Sequence, residues 1–474
     1  MRKIFLVAGM LGTVLLACTA QQTVTTTVPV EDRPVAFPEA EGFGKYSTGG
    51  RGGKVFIVSN LNDAGSGSFR EAATAKVPRI IVFAVSGTIH LTEKLSIAGN
   101  VTIAGQSAPG AGICLADQSI GFGGDNIIVR YLRIRMGDKY QRGGMVDGNG
   151  GDDAFGGTKR KNIVIDHCSM SWSTDEVFSV YSGDSSTLQW NLISEPLNYS
   201  YHFETGDKDY EKHGYGAIWG GRHLSAHHNL FAHCNSRTPR FDGIRNSPEE
   251  NVDFRNNVIY NWGHNNTHAG EGGRYTIVNN YYKYGPSTLA SVKFRILNPF
   301  NRSDIPYGRF YVAGNYVDGA ADVTRDNWQG VRVGNSGKDD ATQAKLVVPL
   351  PVVSITMQTA EDAYVLILQS AGANLPVRDT LDERIINNVK NRTGGFIDVQ
   401  GGFPHGTDYE LTVKAWPTLL SLPALPDADK DGMPDDWEKA HQLNPADGND
   451  ASAFTLNKQY TNIEVYLNDL VKHS

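Results

Sequence analysis

Short runs of apolar and β-branched residues, separated by irregular polar loops, recur through the middle of the chain. Eight of these runs cover residues 101–103, 127–129, 163–165, 188–190, 224–226, 252–254, 276–278 and 311–313. Their first residues are 26, 36, 25, 36, 28, 24 and 35 positions apart. A repeat of this length is typical of solenoids, in which each unit buries its apolar face only against its neighbours. The pattern therefore predicts a column of stacked coils.

Polar residues follow several of these runs directly, where the chain must turn. The segments are Asp166-His167-Cys168, His227-His228-Asn229, Arg255-Asn256-Asn257 and Asn279-Asn280. Side-chain amides can stack at such turns and satisfy neighbouring backbone groups. We predict an all-β fold, a right-handed parallel β-helix, over residues 36–321, because crossovers between parallel strands are right-handed. A β-sandwich is the alternative, but its sequence would show tighter hairpin signals and regularly spaced strands.

The pattern changes after this region, and residues 322–420 form a predicted C-terminal extension. Residues 359–371 have helical character, with Thr359 as the N-cap residue. Residues 380–391 predict a second short helix, which Asp379 caps. We expect both helices to brace the β-helix, and neither carries candidate chemistry.

The N-terminus has the features of an export signal. Two basic residues precede an apolar stretch over residues 4–16, which is too short to span a bilayer. The stretch closes in Leu-Leu-Ala-Cys, which resembles a bacterial lipobox. We predict a lipoprotein signal peptide over residues 1–17, lipidation of Cys18 and a flexible tether over residues 18–35. A plain secretory signal with an incidental cysteine is the alternative.

The net charge and the cysteine pattern limit the classes of ligand and metal that the chain is expected to bind. The formal net charge of −7 argues against nucleic acid, and no basic run contradicts it. A polyanionic substrate is still compatible, because a bound cation can reverse the local sign of the surface. Cys114, Cys168 and Cys234 form no CxxC motif, so no zinc site is expected. They are either buried apolar residues or one disulfide pair with a free thiol.

The acids of the tail, residues 421–474, have a characteristic spacing. Acids stand at positions 1, 3, 5, 9 and 12 of one loop, with glycine at position 6: Asp427, Asp429, Asp431, Asp435 and Glu438, with Gly432. This is the spacing of a calcium-binding EF-hand loop. Pro423 and Pro426 disfavour an entering helix, so the tail resembles the single calcium loops of dockerin-like modules. We predict a structural Ca2+ ion here, with a solvated acidic turn as the alternative.

A second group of acids surrounds the run at residues 163–165. Asp152 and Asp153 precede this run, and Asp175 and Glu176 follow it. In coils of this length, Asp153 and Asp175 are expected on adjacent turns of one face. Such a set of hard oxygen ligands predicts an open calcium site that can also accept a substrate carboxylate. Solvated loop charges are the alternative.

Three segments carry a resemblance to a known family. Val164-Ile165-Asp166-His167 resembles the W-I-D-H signature of family 1 pectate lyases, and Ser236-Arg237-Thr238-Pro239-Arg240 resembles their R-x-P segment. Residues 36–53 resemble the opening of the bacterial, Bacteroidetes-type branch of that family. The resemblance extends over residues 36–316. It implies the same parallel β-helix and a cleavage of polygalacturonate by β-elimination.

The resemblance implies roles for individual residues. Asp153 and Asp175 would be calcium ligands, and Arg237 would be the general base. Members of the family place a further acid where this chain has Ser179, so Glu176 or Asp152 would substitute. The substrate would be held by Arg240 and, on the preceding coil, by Lys212. An arginine is a base only where its surroundings disfavour its charge, and an electrostatic clamp is the other role open to it.

The implied function is that of an exported, monomeric, Ca2+-dependent pectate lyase that yields unsaturated oligogalacturonides. Its location would be the outer membrane or cell surface, with membrane contact through the lipid alone, or otherwise the periplasm or medium. A lyase for pectin or a related uronate polymer is one alternative, and a polygalacturonase-type hydrolase, which needs a catalytic carboxylate pair, is another. A non-catalytic, surface glycan-binding lipoprotein is the third, and Ser179 is its best support.

Overall fold

A computed structural model describes residues 33–143, 151–334 and 341–472. The predicted signal peptide, the lipidation site Cys18 and nearly all of the tether lie outside the described residues. Within them, no helix is long and apolar enough to cross a membrane. Short parallel strands dominate the architecture and form three long faces, which we call faces A, B and C.

The strands of each face are as follows. Face A contains β1 (Lys54–Val58), β2 (Arg79–Phe83), β5 (Val101–Ala104), β8 (Ile127–Arg130), β11 (Lys161–Asp166), β16 (Leu224–His227), β19 (Asn251–Arg255), β22 (Arg274–Val278) and β25 (Arg309–Ala313). Face B contains β3 (Gly87–His90), β6 (Ile113–Ala116), β9 (Arg133–Arg135), β12 (Ser169–Ser171), β14 (Leu192–Ser194), β17 (Leu230–Ala232), β20 (Val258–Tyr260), β23 (Tyr281–Lys283) and β26 (Tyr316–Val317). Face C contains β4 (Leu95–Ile97), β7 (Ile120–Phe122), β10 (Phe155–Thr158), β15 (Ile218–Gly221), β18 (Arg240–Phe241), β21 (Thr267–Ala269) and β24 (Leu297–Pro299), while β13 (Phe178–Gln189) runs from face C into face A.

From β2 onward the chain visits the faces in the repeating order A, B, C, and each strand pairs in parallel with its neighbours on the same face in the adjacent coils. In β11, for example, Ile163 lies beside Ile127 of the preceding coil and Ser186 of the next. The predicted parallel β-helix is therefore confirmed. All eight apolar runs found in the sequence fall on face A, whose inward residues join those of the other faces in one central core.

An asparagine ladder marks the turn from face A to face B. The side chains of six buried asparagines stack from coil to coil: Asn191, Asn229, Asn257, Asn280, Asn315 and Asn327. Each amide nitrogen donates to the next amide oxygen at 2.9–3.0 Å, and that oxygen also accepts the backbone N–H of its neighbour. Buried polar groups of the turn are thereby satisfied, as the polar segments after the apolar runs suggested.

Seven α-helices lie among the described residues. They are α1 (Phe69–Thr74), α2 (Ala321–Arg325), α3 (Ala360–Ser370), α4 (Thr380–Asn391), α5 (Tyr409–Thr412), α6 (Asp435–Ala440) and α7 (Asn462–Lys472). Helices α3 and α4 coincide with the two predicted helices. Their N-caps are Thr359, which accepts from the Asp362 amide, and Asp379, which accepts from the Leu381 and Asp382 amides.

Helices α3 and α4 pack on the outside of face B. Ile367, Ile385 and Val389 contribute to an apolar cluster with residues of that face, including Leu192 and Leu230. Buried ion pairs fix the same contact, since Arg135 of β9 contacts Asp379 at 2.5 Å and Asp382 at 2.9 Å. The extension therefore braces the β-helix and covers a face that would otherwise expose polar strands to solvent.

The tail packs on the outside of face A. Met433, Ile463 and Leu467 join an apolar cluster with Ile80 and Val82 of β2. Helix α2 begins at the predicted boundary between residues 321 and 322, and the proposed domain limits remain predictions. Cys114, Cys168 and Cys234 are buried and unpaired, as in the simpler of the two alternatives.

Candidate active site

The candidate site lies where loops lead from face B into face C. Asp153 precedes β10, Asp175 and Glu176 precede β13, and Arg237 precedes β18. Backbone hydrogen bonds stack these loops, because the Asp175 amide donates to the Asp152 carbonyl at 3.2 Å and the Ala217 amide donates to the Arg237 carbonyl at 2.8 Å. Residues distant in sequence are thereby brought together on neighbouring coils.

Three acids converge at this position. Asp153, Asp175 and Glu176 each offer a carboxylate oxygen, and these atoms lie within 4.8 Å of one another. Burial and the charge of Asp175 raise the pKa of Asp153 to about 8. Burial also opposes the charge of Asp175, but a hydrogen bond from His213 and its positive charge leave the pKa of Asp175 below its usual value. The all-oxygen donor set fits a calcium ion, whose charge would favour the ionised form of Asp153.

The two candidate substitutes for the missing third acid have different surroundings. Glu176 belongs to the cluster, and its amide donates to Asp153 Oδ1 at 3.1 Å. Asp152 does not belong to it, because Lys94 Nζ and Gln141 Nε2 hold its two oxygens at 2.6 and 2.7 Å. A metal role for Asp152 remains a prediction, and in this structure its carboxylate is engaged by Lys94 and Gln141 instead.

Ser179 lies beside these acids rather than leaving a gap. Its side chain is buried, hydrogen-bonds to Asp153 and accepts the Ile218 amide at 3.2 Å. The serine provides a neutral oxygen near the cluster. Glu176, three positions earlier in the same coil, supplies the third negative charge instead.

Arg237 lies over the acid cluster in an unusual environment. Its backbone is left-handed, with φ 58°, and its guanidinium forms an ion pair with Glu176. The guanidinium carbon also lies 4.4 Å from the ring centre of Tyr215, a cation–π contact. Burial and, more weakly, repulsion by Arg240 lower the pKa of Arg237 to about 10, although Asp175 and Asp153 oppose this. The side chain is therefore easier to deprotonate than an ordinary arginine.

The two predicted substrate-binding residues, Arg240 and Lys212, have different surroundings. Arg240 lies in β18, donates to the Phe241 carbonyl at 2.8 Å and approaches Glu271 at 3.4 Å. Lys212 is exposed in the loop between β14 and β15, and its side chain has no hydrogen bond or ion pair within the described residues. Neither residue contacts the three acids directly, so a substrate-binding role for them remains a prediction.

Two histidines next to the cluster were not identified from the sequence. His213 Nε2 lies 2.8 Å from Asp175 Oδ1, and its ring stacks on His202 with centres 3.7 Å apart. Both belong to the long loop of residues 195–217, where no motif marks them. Asp166 and His167 of the family signature lie instead at the turn from face A to face B, where Arg130 binds Asp166 at 2.7 Å.

The tail acids form a second cluster, and no ion pair within the described residues involves Asp427, Asp429, Asp431, Glu438 or Asp450. Asp427, Asp429 and Asp431 form one group of neighbouring oxygens, and Asp431, Glu438 and Asp450 form another. Buried oxygens of Asp431, Glu438 and Asp450 have no hydrogen-bond partner within the described residues. Burial and the neighbouring acids raise the pKa of Asp431 to about 8 and that of Glu438 to about 7. The donor set fits a hard cation such as calcium.

One predicted ligand of the tail loop is replaced by another acid. Asp435 Oδ1 accepts the Ala428 amide at 2.8 Å, and Asp435 lies outside both groups of converging acids. Asp450, 15 positions further along, takes the open place. A metal role for Asp435 remains a prediction. Loop position 9 commonly reaches calcium through water, which agrees with this arrangement.

Comparison with known proteins identifies the family, although no family model matches the chain. "Probable pectate lyase C" of Aspergillus fumigatus is 36% identical over 450 residues, which cover 92% of this chain and 94% of that protein. The Aspergillus flavus protein of the same name is 35% identical over 454 residues, covering 93% and 95%. The crystal structure of jun a 1, the major allergen from cedar pollen, aligns with a TM-score of 0.48 at 17% identity, covering 70% and 92%. The chain belongs to the pectate lyase family.

Proposed function

We propose that the protein is a calcium-dependent lyase that cleaves polygalacturonate by β-elimination and releases unsaturated oligogalacturonides. The observation that carries this proposal is the juxtaposition of Asp153, Asp175 and Glu176 with Arg237, whose pKa is lowered to about 10. An acid cluster alone would serve only to bind a cation. An arginine that can give up its proton, placed against that cluster, adds the base that elimination requires.

The reaction removes the C5 proton of a galacturonate residue and breaks the C4–O bond. The C5 proton is only weakly acidic, because the neighbouring carboxylate resists further negative charge. Calcium, when bound by Asp153, Asp175 and Glu176, supplies the positive charge that neutralises this carboxylate. The electron pair of the C5–H bond then forms the C4–C5 double bond, and the leaving oxygen at C4 takes a proton.

Arg237 is the residue that accepts the C5 proton in this proposal. To act as a base, Arg237 must first leave its ion pair with Glu176. A cation bound by the three acids would compete with Arg237 for the Glu176 carboxylate and so favour this release. The Tyr215 ring packs against one side of the guanidinium and so helps to position it. Arg240 disfavours its protonated form and, together with Lys212, is proposed to hold carboxylates of neighbouring sugars.

The deciding experiment measures the near-ultraviolet absorbance of unsaturated product on polygalacturonate, with calcium and then with excess chelator. Absorbance that rises with calcium and stops with chelator is expected for the wild type and is lost in Arg237→Ala. Arg274→Ala on face A is the matched control and is expected to keep full activity. New reducing ends without absorbance would replace this proposal with hydrolysis. Polymer binding without either product would indicate a glycan-binding protein.

The same assay separates substrates. Polygalacturonate, methyl-esterified pectin and other uronate polymers are compared at equal uronate concentration. Free carboxylates are expected to be preferred, because both the proposed metal site and the basic residues Arg240 and Lys212 recognise negative charge. A preference for the ester would assign the enzyme to pectin instead.

We also propose the remaining features suggested by the sequence. The chain is exported, belongs to the bacterial branch of the family and is held on a membrane by a lipid on Cys18, which the lipobox-like segment supports even though the two Aspergillus relatives are fungal. The tail binds a structural calcium ion through Asp427, Asp429, Asp431, Glu438 and Asp450. Mass spectrometry of the full-length protein from membranes would detect the lipid, and its absence would leave a secreted or periplasmic enzyme.

A further inference from the structure

His202 and His213 form a pair of stacked rings beside the three acids, and the proposed elimination uses neither of them. Both side chains are only 4% exposed. Their rings lie 3.7 Å apart at an angle of 23°. Together with Asp175 they present ligand atoms that all lie within 4.8 Å of one another.

His202 is the informative member, because it is buried with an unpartnered ring nitrogen. Its Nδ1 has no hydrogen-bond partner within the described residues, whereas its Nε2 makes no geometric hydrogen bond but lies 3.2 Å from Glu211 Oε1 and 3.8 Å from Glu204 Oε1. Unpaired buried nitrogens are costly, and native proteins normally avoid them. A methyl group built on Gly151 would lie 3.8 Å from His202 Nδ1 and 3.9 Å from Asp175 Oδ2, so both atoms border the same space.

Glu211 lies on the opposite side of the two rings. Its Oε1 is 3.2 Å from His213 Nδ1 and 3.2 Å from His202 Nε2. Histidines that bind metals commonly place a carboxylate at the ring nitrogen that does not bind the metal, which fixes the ring and makes it a better ligand. The arrangement of carboxylate, imidazole and open space therefore gives the histidine pair a metal-facing side and a supporting side.

We propose that His202 Nδ1, His213 Nε2 and the Asp175 carboxylate form a second cation site, selective for a divalent transition metal of the zinc and cobalt class. Calcium takes oxygen ligands, whereas imidazole nitrogens suit zinc, cobalt and nickel. Two histidines and one carboxylate leave coordination positions open for water or substrate. The two oxygens of Asp175 allow it to serve this cation and the proposed calcium ion together.

Binding requires only small adjustments. The cation replaces the proton shared by His213 Nε2 and Asp175 Oδ1, which are 2.8 Å apart, and that proton is released to solvent. Bond lengths of about 2.0–2.1 Å hold ligands of a tetrahedral zinc ion about 3.3 Å apart, so rotations of the side chains suffice to close the cluster.

The test uses cobalt, because its visible absorption bands report nitrogen ligands and coordination number without any reference to lyase activity. Cobalt is titrated into the full chain with calcium in excess, so that the oxygen-only sites of the cleft and tail are filled. We expect visible bands that saturate at one equivalent and are displaced by zinc. His202→Gln and His213→Gln should each weaken binding by at least tenfold.

Two variants serve as matched controls. His223→Gln removes a histidine that also pairs with an acid, Asp184 at 2.8 Å, but has no second histidine in contact, and it should leave the bands unchanged. Glu211→Gln should retain them with lower affinity. Circular dichroism establishes that each variant is folded.

Bands that persist at unchanged affinity in folded His202→Gln would overturn the site. Bands that Glu211→Gln abolishes but Asp175→Asn retains would also overturn it, because the cation would then lie on the other side of the rings. Since no substrate is present, failure of the proposed lyase activity would not alter either outcome.

Discussion

The two acid clusters of this protein differ in their partners. In the cleft, Asp175 is paired with His213 and Glu176 with Arg237, so positive or proton-donating groups hold two of the three acids. In the tail, buried oxygens of Glu438 and Asp450 have no such partner within the described residues. Both clusters offer hard oxygen ligands, yet only the first is balanced by the protein itself.

We propose that this difference separates an active site from a structural one. Acids with their own partners tolerate the loss of a cation, so calcium would be able to enter and leave the cleft with substrate. Acids without partners repel one another, and a bound cation would remove this repulsion. We therefore expect calcium to control activity through the cleft and thermal stability through the tail. Five experiments test this division, from the largest expected effect to the smallest.

Arg237→Ala should lower kcat on polygalacturonate by roughly 10³-fold, the range typical for loss of a general base. The reason is that Arg237 is the only arginine that forms an ion pair with the acid cluster among the described residues. Initial rates of product absorbance measure the effect, with Arg274→Ala as the control. A loss of less than tenfold would remove Arg237 from the chemistry. A calcium-dependent gain in melting temperature that differs from the wild-type gain would show that the variant had disturbed the tail.

The pH profile distinguishes a base from an electrostatic clamp. The pKa of Arg237 is lowered to about 10, so its neutral form grows with pH and is scarce at pH 7. As a base, Arg237 should give a rate that rises about tenfold per unit up to that pKa at saturating calcium. As a clamp it needs its charge, and the rate would then be flat and fall above pH 10. Rates between pH 7 and 10.5 decide between the two.

Glu176→Gln should raise the calcium concentration needed for half-maximal activity on the order of tenfold, as expected for weakening a metal site by one group. The maximal rate should change much less, because Arg237 is retained. Asp152→Asn is the matched control, since Lys94 and Gln141 hold that carboxylate away from the cluster. Equal effects of the two variants would contradict the assignment of Glu176 as the third acid.

Calcium should stabilise the tail by about 2.7 kcal/mol at a hundredfold excess over its dissociation constant. The pKa values of Asp431 and Glu438 are raised to about 8 and about 7, so the calcium-free folded tail retains protons that the unfolded chain releases. Its stability therefore falls as pH rises from 4 to 8, and calcium replaces those protons. Calorimetry with and without chelator should show the largest calcium-dependent gain near pH 8 and a smaller one at pH 5.

The two rival tail ligands should differ in the same calorimetric assay. Asp450→Asn is expected to reduce the calcium-dependent gain in melting temperature by half or more, since its buried oxygen belongs to the cluster. Asp435→Asn should change the gain only slightly, because Asp435 hydrogen-bonds to the Ala428 amide. If Asp435→Asn reduced the calcium-dependent gain in melting temperature more than Asp450→Asn did, Asp435 rather than Asp450 would be a ligand, as the EF-hand spacing predicts.

The sequence predicted the parts of the fold that carry a strong local pattern. The strands of face A were predicted because they are apolar and several are followed by asparagines. The strands of face B were not predicted, because sequences such as Arg-Ile-Arg in β9 and Ser-Met-Ser in β12 have no apolar pattern. Their polar residues are satisfied by the start of helix α4, which supplies Asp379 and Asp382 to the arginines of β9 and Asp382 to Ser169 of β12, contacts between residues more than 200 positions apart.

The same limit applies to the candidate site. Coil length predicted that Asp153 and Asp175 lie on adjacent turns, and the family resemblance, not spacing, singled out Arg237. Neither could choose between Glu176 and Asp152 as the third acid, because the direction of a side chain depends on the loop conformation. Tertiary packing brings His202 and His213 to the cleft and Asp450 to the tail cluster. All three lie in loops, and no local spacing in the sequence predicts their positions.

The end of the asparagine ladder limits the length of the whole column. Asn327, the last amide, donates to the Val323 and Thr324 carbonyls at the end of helix α2 and to the Asn315 carbonyl, rather than to another coil. A stack of parallel strands is otherwise a template on which further strands can be added, as in a fibril. In polymer terms, the last unit of this stack is capped, because the Asn327 amide nitrogen already donates within its own chain and offers no free donor to a further coil.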